Sequence, residues 1–582
     1  MKKFISISFL SLFAFAVSCS SNDDNDFNNQ EKEVILNNSN QTNRLNTAKA
    51  GVISIKEAPD EDPELTSSKL GVAYKTYAAN INDVASNIPL VQIAEVSAPV
   101  HNGTTLRATH VVIHEKYAYV SYNVEGPTYL GAIDVIDISD PNNPSIALGA
   151  IFPNTDVSAI SYYNDALYIA GASSSTNIDE SNPAVLIKMQ LEDGLPTDNI
   201  VLINMSSYVA TDVLANTNGI YGVSGVNGVL AKYDISNQLL QESVSVNDLR
   251  AIGEYDNKIV VLSGTDGVSV YNSSTLSEIS NFPTSTDIAE SKRTIDFYNN
   301  NILVAEGKKG LGIYNIDNGS PVNTIELPTI TDNNIDPNEV VTNAVTVEKD
   351  HIFMANGAAG LTVHDLKKGI SNITKTGTLD IDGSTNYVQS ANGYIFVASG
   401  KGGLKIIKTV EDNSNSGETS IVCDGPEFTT YNGGSWLNIN SNESKYYSGS
   451  TSLQGLNVNA NLTFCGSLAV SNGLNINSNG HFKMSGSLAQ GNYNNKYLSL
   501  NINDNAILEL EGSMVVYGNM TFNTGANLKV SGSVTIYGDV MINNNVTIDF
   551  IGSDSSITIY GTVTKNGTPT ITGNYNDTLN KL

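Results

Sequence analysis

The stretch Glu306–Ile316, EGKKGLGIYNI, contains two glycines three residues apart, a charged pair between them and an apolar run after them. The same pattern returns at Asn356–Leu366 (NGAAGLTVHDL) and at Ser399–Ile407 (SGKGGLKII). Looser copies lie at Ser224–Tyr233 and Ser263–Tyr271. Because glycine adopts positive φ at little cost, each G-x-x-G predicts a compact turn whose tip faces water, followed by a strand.

A short apolar strand precedes each turn, and a pair such as Asn218-Gly219 or Asn392-Gly393, which favours a two-residue hairpin, lies before most of these strands. The equivalent residues Tyr119 and Phe396 are 277 positions apart over six steps, so the repeat is about 46 residues long, typical of one propeller blade. We therefore predict a seven-bladed β-propeller over residues 66–410, with an array of β-sandwiches as the alternative. The seven strands are Tyr117–Ser121, Ala166–Gly171, Ile220–Gly225, Ile259–Gly264, Ile302–Gly307, Ile352–Gly357 and Ile395–Gly400.

A different repeat follows the polar linker 411–420 and extends over residues 421–582. Its Gly-Ser pairs recur about every 20 residues with apolar, alternating stretches between them, which predicts a β-solenoid; a small β-sandwich is the alternative. Residues 421–448, with Trp436, can cap one end. Cys423 and Cys465 either form a disulfide or are separate core residues. The pairs begin at Gly449, Gly466, Gly486, Gly512, Gly532 and Gly552.

The N-terminus resembles a bacterial lipoprotein signal. Lys2 and Lys3 precede the apolar run Phe4–Val17, and Cys19 follows small residues, although Ala16 stands where the motif usually has Leu. The resemblance implies a signal peptide over residues 1–18 and acylation of Cys19; an ordinary signal peptide with an incidental cysteine is the alternative.

The residues after Cys19 are similar to the surface-export signal of Bacteroidetes lipoproteins, which implies the outer face of the outer membrane. We also expect residues 19–65 to form a disordered acidic tether, because they are rich in polar and acidic residues and poor in aromatics. The export-signal residues are Ser20, Ser21, Asn22, Asp23 and Asp24.

Gly131–Pro144, GAIDVIDISDPNNP, resembles the LVIVD-repeat family of bacterial surface propellers, in which a strand ends in a V-D-x-S-D-P-x-x-P turn. Partial echoes lie at Tyr233–Ser236 and Ile313–Asp317, so the resemblance covers roughly residues 70–410. It implies an extracellular propeller and does not imply a particular activity.

The charge balance argues against a nucleic-acid partner. The chain has 31 basic and 59 acidic residues and a net charge of −28, which repels phosphate backbones. Neither a metal-binding histidine pair nor a nucleophile elbow is found, so we expect a protein that is not an enzyme and needs no cofactor. The loop with Asp332, Asp336 and Glu339 either binds calcium or is a plain surface loop.

Arginine is scarce, with four in the chain. Arg44 lies in the tether. Arg250 and Arg293 each lie ten residues before the aligned strand residues Val260 and Leu303, and Arg107 lies twelve before Tyr119, so all three are predicted to start inner strands. There they form either an anion site at one mouth of the channel or ion pairs that brace the ring.

These features predict a surface-exposed outer-membrane lipoprotein that acts as a non-enzymatic protein-interaction platform. Its partner would be an outer-membrane or extracellular protein, for example in an outer-membrane assembly or export complex. An adhesin or glycan-binding protein is the alternative, with Tyr162-Tyr163 and Tyr446-Tyr447 as candidate contacts. A propeller hydrolase or lyase is a third candidate.

Overall fold

The computed structural model describes most of the chain from residue 32 to its end. Within this part, regular structure is β apart from the 3-10 helices Thr42–Arg44 and Pro337–Glu339, and no helix in it has the length and apolar character needed to cross a bilayer. The described residues are 32–37, 41–46, 51–53, 90–139, 144–285, 291–330, 335–366, 368–379, 381–409, 421–423, 426–431, 433–491, 497–551 and 555–582.

Seven antiparallel sheets, blades 1 to 7, form a closed ring. The first strands of successive blades contact one another, and the first strand of blade 7 contacts that of blade 1, so these strands line a central channel. This confirms the predicted propeller. From the channel outward, blade 1 contains Arg107–His114, Tyr117–Asn123, Gly131–Asp137 and Ser145–Phe152; blade 2 contains Thr155–Tyr163, Ala166–Ser173, Ala184–Glu192 and Leu195–Asn204; blade 3 contains Ala210–Asn216, Gly219–Ser224, Val229–Tyr233 and Leu240–Ser245; blade 4 contains Leu249–Tyr255, Lys258–Ser263, Gly267–Asn272 and Glu278–Phe282. Blade 5 contains Ile295–Tyr298, Asn301–Ala305, Leu311–Asn315 and Pro321–Ile325; blade 6 contains Ala344–Glu348, His351–Ala355, Leu361–Asp365 and Thr374–Leu379; blade 7 contains Tyr387–Ala391, Tyr394–Ala398, Leu404–Thr409 and Leu90–Val96.

The outer strand of blade 7 comes from the N-terminal side of the ring. Leu90–Val96 pairs antiparallel with Leu404–Thr409, so the last blade is completed by residues that precede the first. The hairpin Val100–His101 and Thr104–Thr105 then leads into blade 1. Because the closing strands are more than 300 residues apart in sequence, the repeat pattern alone did not reveal this closure.

Part of the predicted tether is ordered on the outside of the ring. Ile35–Asn37 pairs with the outer strand of blade 1, and both Leu45–Asn46 and Gly51–Ile53 pair with the closing strand of blade 7. The prediction of a disordered tether is therefore wrong for these segments, because exposed strand edges offer backbone partners that a composition argument does not consider.

The glycines of the opening motif have the predicted conformation. In the copy at Glu306–Ile316, φ is 56° at Gly307 and 82° at Gly310. A β-carbon on Gly310 would collide with the carbonyl oxygen of Ile325, so the second glycine is needed for space as well as for φ. The two close copies behave alike, with φ of 60° and 77° at Gly357 and Gly360 and 53° and 75° at Gly400 and Gly403.

The described residues between 429 and 577 form the predicted β-solenoid, whose strands stack in parallel and in register in two sheets. The Gly-Ser pairs stack directly, with Gly466 paired to Gly486, Gly486 to Gly512 and Gly512 to Gly532; Gly552 lies outside the described residues. The first sheet contains Thr429–Thr430, Ser444–Leu453, Asn461–Val470, His481–Gln490, Ile507–Val516, Asn527–Ile536, Thr547–Phe550, Ser555–Ile559, Thr570–Thr572 and Tyr575–Asp577. The second sheet contains Trp436–Ile439, Gly455–Val458, Leu474–Ile476, Ser499–Ile502, Asn519–Phe522, Val540–Ile542 and Val563–Lys565.

A disulfide joins Cys423 to Cys465, with the two Cα atoms 5.9 Å apart. It links the segment before the first coil to the long strand Asn461–Val470. The N-terminal segment is therefore covalently attached to the solenoid.

The solenoid contacts the propeller through an apolar cluster. Ala489, Val515 and Tyr517 of the solenoid belong to the same buried cluster as Phe396 of blade 7 and Val111 of blade 1. Ala489 and Val515 lie in the first solenoid sheet, and Tyr517 directly follows its strand Ile507–Val516. Among the described residues, none of the second sheet, which begins at Trp436, belongs to this cluster.

Candidate functional site

Ionisable side chains are concentrated in the central channel. His110, Asp212 and Tyr387 pair with equivalent positions of the second strands of blades 1, 3 and 7, and because side chains alternate along a strand they share one level of the channel wall. Asp296 on blade 5 lies one alternation further along its strand. We call these four residues and Lys292 the channel cluster.

Lys292 crosses the channel. The residue lies before the inner strand of blade 5, and its backbone N–H donates to the side chain of Asn343 on the blade 6 side. Its Nζ donates to the carbonyl oxygen of Thr109 at 2.6 Å and to that of Ser158 at 3.0 Å, on blades 1 and 2. The same ammonium lies 5.2 Å from the ring centroid of Tyr387 on blade 7, so one side chain links opposite sides of the ring.

The environment of Lys292 disfavours its charge. Desolvation lowers the pKa of Lys292 to about 8, although the negative charge of Asp212 opposes that shift. At neutral pH the side chain is therefore mostly a cation, and an appreciable fraction is a neutral amine at slightly alkaline pH.

The two carboxylates of the channel cluster bind backbone N–H groups of neighbouring blades. Asp212 accepts from Ile252 of blade 4 at 3.1 Å, and Asp296 accepts from Val347 of blade 6 at 3.0 Å. Desolvation raises the pKa of each to about 6, while these backbone hydrogen bonds partly offset the shift. Each carboxylate therefore joins two adjacent blades.

The two rings of the channel cluster contact each other, with the centroids of His110 and Tyr387 3.9 Å apart and the ring planes tilted by 33°. Burial lowers the pKa of His110, and the charge of Lys292 lowers it further. Burial also raises the pKa of Tyr387, helped by Asp212 and Asp296. Both rings are therefore neutral at physiological pH.

Arg107 and Arg250 lie at the start of the inner strands of blades 1 and 4, as predicted. Arg107 pairs with Glu125, and Arg250 pairs with Asp248 through an Nε–Oδ1 distance of 3.0 Å. Burial lowers the pKa of Arg107, and the charge of Glu339 opposes that shift. An anionic ligand at either arginine would have to compete with a carboxylate already in place.

Arg293 is completely buried, at 0% exposure, so its prediction as a channel-mouth residue is wrong. Its Nε donates to the carbonyl oxygen of Ala305 in blade 5 at 3.1 Å, and its other nitrogens reach Gly264 and Thr284 beside blade 4. The residue has φ of 53°, a conformation that turns it away from the course of a regular inner strand. Arg293 thus joins blades 4 and 5 through these carbonyl and hydroxyl oxygens.

The proposed calcium loop is only partly described. Asp332 lies outside the described residues, and Asp336 accepts from the backbone N–H of Asn338 at the start of a 3-10 helix. Over the described ranges, no group of His, Cys, Asp and Glu has a geometry that could hold a metal ion.

The lipid-attachment residue Cys19 and the export residues Ser20 to Asp24 lie outside the described residues, and both remain predictions.

Lys292 was not predicted from the sequence, because only the arginines were considered as cations of the channel. The only available signal was the run Ser291–Asp296, SKRTID, which places charged side chains where the other blades have mostly small or apolar residues. Which of the two adjacent cations enters the channel depends on the backbone turn at Arg293.

The geometry defines a class of protein: a seven-bladed β-propeller with a C-terminal parallel β-solenoid. No known family matches the chain, and no curated protein does. Among solved structures it is similar to the RRP9 WD40 repeats, with 10% identity, 54% of this chain and 96% of that chain covered and a TM-score of 0.41. The Neurospora crassa Pan2 WD40 domain has 11% identity, 56% and 96% coverage and a TM-score of 0.41. The designed Ika8 protein has 11% identity, 54% and 98% coverage and a TM-score of 0.35.

Proposed function

We propose that this protein is a surface-exposed outer-membrane lipoprotein that acts as a non-enzymatic protein-interaction platform. Its partner is an outer-membrane or extracellular protein. A rigid ring that presents many loops is suited to such a role. The partner could be a component of an outer-membrane assembly or export complex.

The observation that carries the proposal is that charged side chains of the channel cluster form hydrogen bonds within the ring. Lys292 donates to backbone carbonyls of two blades, and Asp212 and Asp296 each accept from a neighbouring blade. These three side chains already bond to the backbone of the ring, and a small ligand would have to break those bonds before it could bind them. Recognition is therefore assigned to the outer surface of the ring.

On that surface, the loops that lead into the inner strands and the loops between the second and third strands define the upper face. Tyr208 and Val226 lie there on two adjacent loops of blade 3, and they are 62% and 61% exposed. The loops are joined by a backbone hydrogen bond from Gly225 to the carbonyl oxygen of Val209. Tyrosine is enriched among the residues that contribute most to protein binding, so Tyr208 is the candidate contact of this face.

The test compares two variants of blade 3 in a cross-linked pull-down from detergent-solubilised membranes. Tyr208→Ala with Val226→Asn changes the upper face and should lose the partner. Leu239→Asn with Leu240→Asn is the matched control, because these residues are 66% and 58% exposed at the opposite end of the same blade. Recovery of a stoichiometric partner by wild type and control alone supports the proposal; equal recovery by both variants, or no partner for wild type, contradicts it.

The anchor is tested separately. Cys19→Ser should abolish incorporation of a labelled fatty acid and release the protein from the membrane fraction, since a single acylated cysteine supplies the attachment. Removal of residues 20–24 should leave the label in place but protect the protein from protease added to intact cells. Unchanged labelling after Cys19→Ser would contradict lipid attachment at this residue.

A further inference from the structure

The first coil of the solenoid carries an exposed aromatic platform. Trp436 begins the second solenoid sheet and is 49% exposed. Its indole lies flat over Gly455 of the next coil. A β-carbon at that position would overlap the six-membered ring, so the glycine leaves the space that the indole occupies. The indole N–H donates to Oε1 of Gln454 at 3.2 Å. One face of the ring is thus held against the sheet, while the other faces solvent.

A row of asparagine amides runs beside the indole. Asn438 lies on the same outward face as Trp436, and Asn457, Asn475 and Asn501 occupy the matching position in the next three coils. Each Nδ2 donates to the Oδ1 of the asparagine before it, at 2.8, 3.0 and 2.8 Å. This hydrogen-bonded row fixes the amide planes, so their remaining donor and acceptor positions are preorganised.

The coil after that of Gly455 leaves a shallow shelf beside the indole, at Gly473. A β-carbon added at Gly473 would have only Asn475 Nδ2 and the Ser499 carbonyl oxygen close by, at 3.8 and 4.0 Å. The Ser499 hydroxyl, which accepts from Asn501 Nδ2 at 3.0 Å, lies one coil further on. The lining therefore combines one apolar flat surface with uncharged hydrogen-bonding groups.

We propose that this surface, the Trp436 shelf, binds a neutral, extended polysaccharide. A pyranose ring presents an apolar C–H face that stacks on an indole, and its hydroxyls donate to and accept from amide groups. Coils are spaced by about 4.8 Å along the row, which is comparable to the length of one sugar in an extended chain. Successive sugars can therefore meet successive coils.

The charge of the molecule disfavours an acidic ligand, and the lining of the shelf is uncharged. The shelf itself contains no charged residue among Trp436, Gln454, Gly473 and Ser499 or the asparagine row, whereas the whole chain carries a net charge of −28. An acidic polymer would be repelled and would find no cation on the shelf to offset that repulsion. The solenoid contacts the propeller through its other sheet, so this face is not part of that contact.

The test uses the fact that Trp436 is the single tryptophan of the chain, so tryptophan emission reports on this site alone. The purified full chain is titrated with soluble starch, dextran, hydroxyethylcellulose and mannan, with polygalacturonate as the acidic comparison. We expect a saturable change of emission with a neutral polymer and none with the acidic one, and retardation of the protein in a gel that contains the same neutral polymer.

Three variants assign the binding to the shelf. Trp436→Ala should weaken retardation at least about tenfold, as for a central aromatic contact, and Trp436→Phe should restore part of it. Gly455→Ala should displace the indole and weaken binding while the tryptophan remains. Leu240→Ala, at an exposed apolar residue on the propeller, should bind as wild type does.

Each remaining outcome overturns the proposal. Absence of binding to all four neutral polymers excludes the ligand class, and binding of polygalacturonate alone does the same. Retardation that persists in Trp436→Ala, with an unchanged melting curve, places any glycan site elsewhere on the chain.

Discussion

Lys405 donates from Nζ to Oε2 of Glu95 at 2.6 Å, and the two side chains are only 3% and 9% exposed. Glu95 lies on the closing strand from the N-terminal side, whereas Lys405 lies on the third strand of blade 7. A buried ion pair thus lies across the junction that closes the ring, in addition to the backbone ladder.

Lys405→Met should destabilise the propeller strongly, because it leaves the carboxylate of Glu95 buried without its cation. Loss of one partner of a buried pair typically costs about 3–5 kcal/mol. The double change Lys405→Met with Glu95→Leu should recover much of that loss, since an apolar pair needs no desolvated charge. Urea denaturation followed by circular dichroism measures both; equal midpoints for the single and double variants would contradict the coupling.

Lys292 should give the propeller a stability that rises with pH in the alkaline range. Its folded pKa of about 8 lies below the ordinary value of 10.5, so between these values the unfolded chain binds more protons. The free energy of unfolding therefore increases as pH rises through this window, and the gain is lost as pH falls through about 8. Lys292→Met should remove this contribution to the rise of stability with pH. The measurement is the urea midpoint of variant and wild type at pH 7.5 and at pH 10, and the difference between the two proteins should change between these values. Lys401→Met, at an exposed turn, is the control and should leave the slope unchanged.

Asp212 and Asp296 should act in the opposite direction at acidic pH. Desolvation raises the pKa of both from 3.8 to about 6, so the folded state binds more protons between those values. Their contribution to stability is fully present below about pH 4 and is lost as pH rises through about 6. Replacing both by Asn should flatten the pH dependence of the melting temperature over this range, so that the difference from wild type changes between about pH 4 and about pH 6. A wild-type-like pH dependence in the double variant would show that other carboxylates account for it.

Gly512→Ala should disrupt the solenoid, whereas Gly434→Ala should not. Gly512 has φ of 126°, and a β-carbon there would collide with the backbone of Gly486 in the coil below. Gly434 has nothing within 4 Å of its β-carbon position, so it is the matched control. We expect the solenoid melting transition to fall by several degrees or vanish for Gly512→Ala, because core overlap and backbone strain add. Calorimetry of the two variants checks this, and equal curves would contradict the stacking role of the glycine column.

Local patterns predicted the repeats well. Gly307 and Gly310 predicted the turn between the second and third strands of a blade, and the Gly-Ser pairs predicted the stacked coils. In both cases the information is local, since a positive φ or a missing β-carbon is required wherever the motif occurs.

The contents of the channel were not predictable in the same way. Arg293 and Lys292 are adjacent cations in sequence, yet one is buried between blades and the other crosses the channel. A backbone turn and the packing of blades 4, 5 and 6 decide between them. The same holds for Glu95 and Lys405, whose pairing depends on closure of the ring.

The sequence by itself determined the number of blades, the change from propeller to solenoid and the positions of the turns, because hydrophobic periodicity and glycine placement act over a few residues. Only the tertiary structure decided which strand completes blade 7, which cation enters the channel and that the single tryptophan lies flat on a neighbouring coil. Those relationships join residues distant in the chain, and they form only when burial of the blade and coil cores brings the residues together.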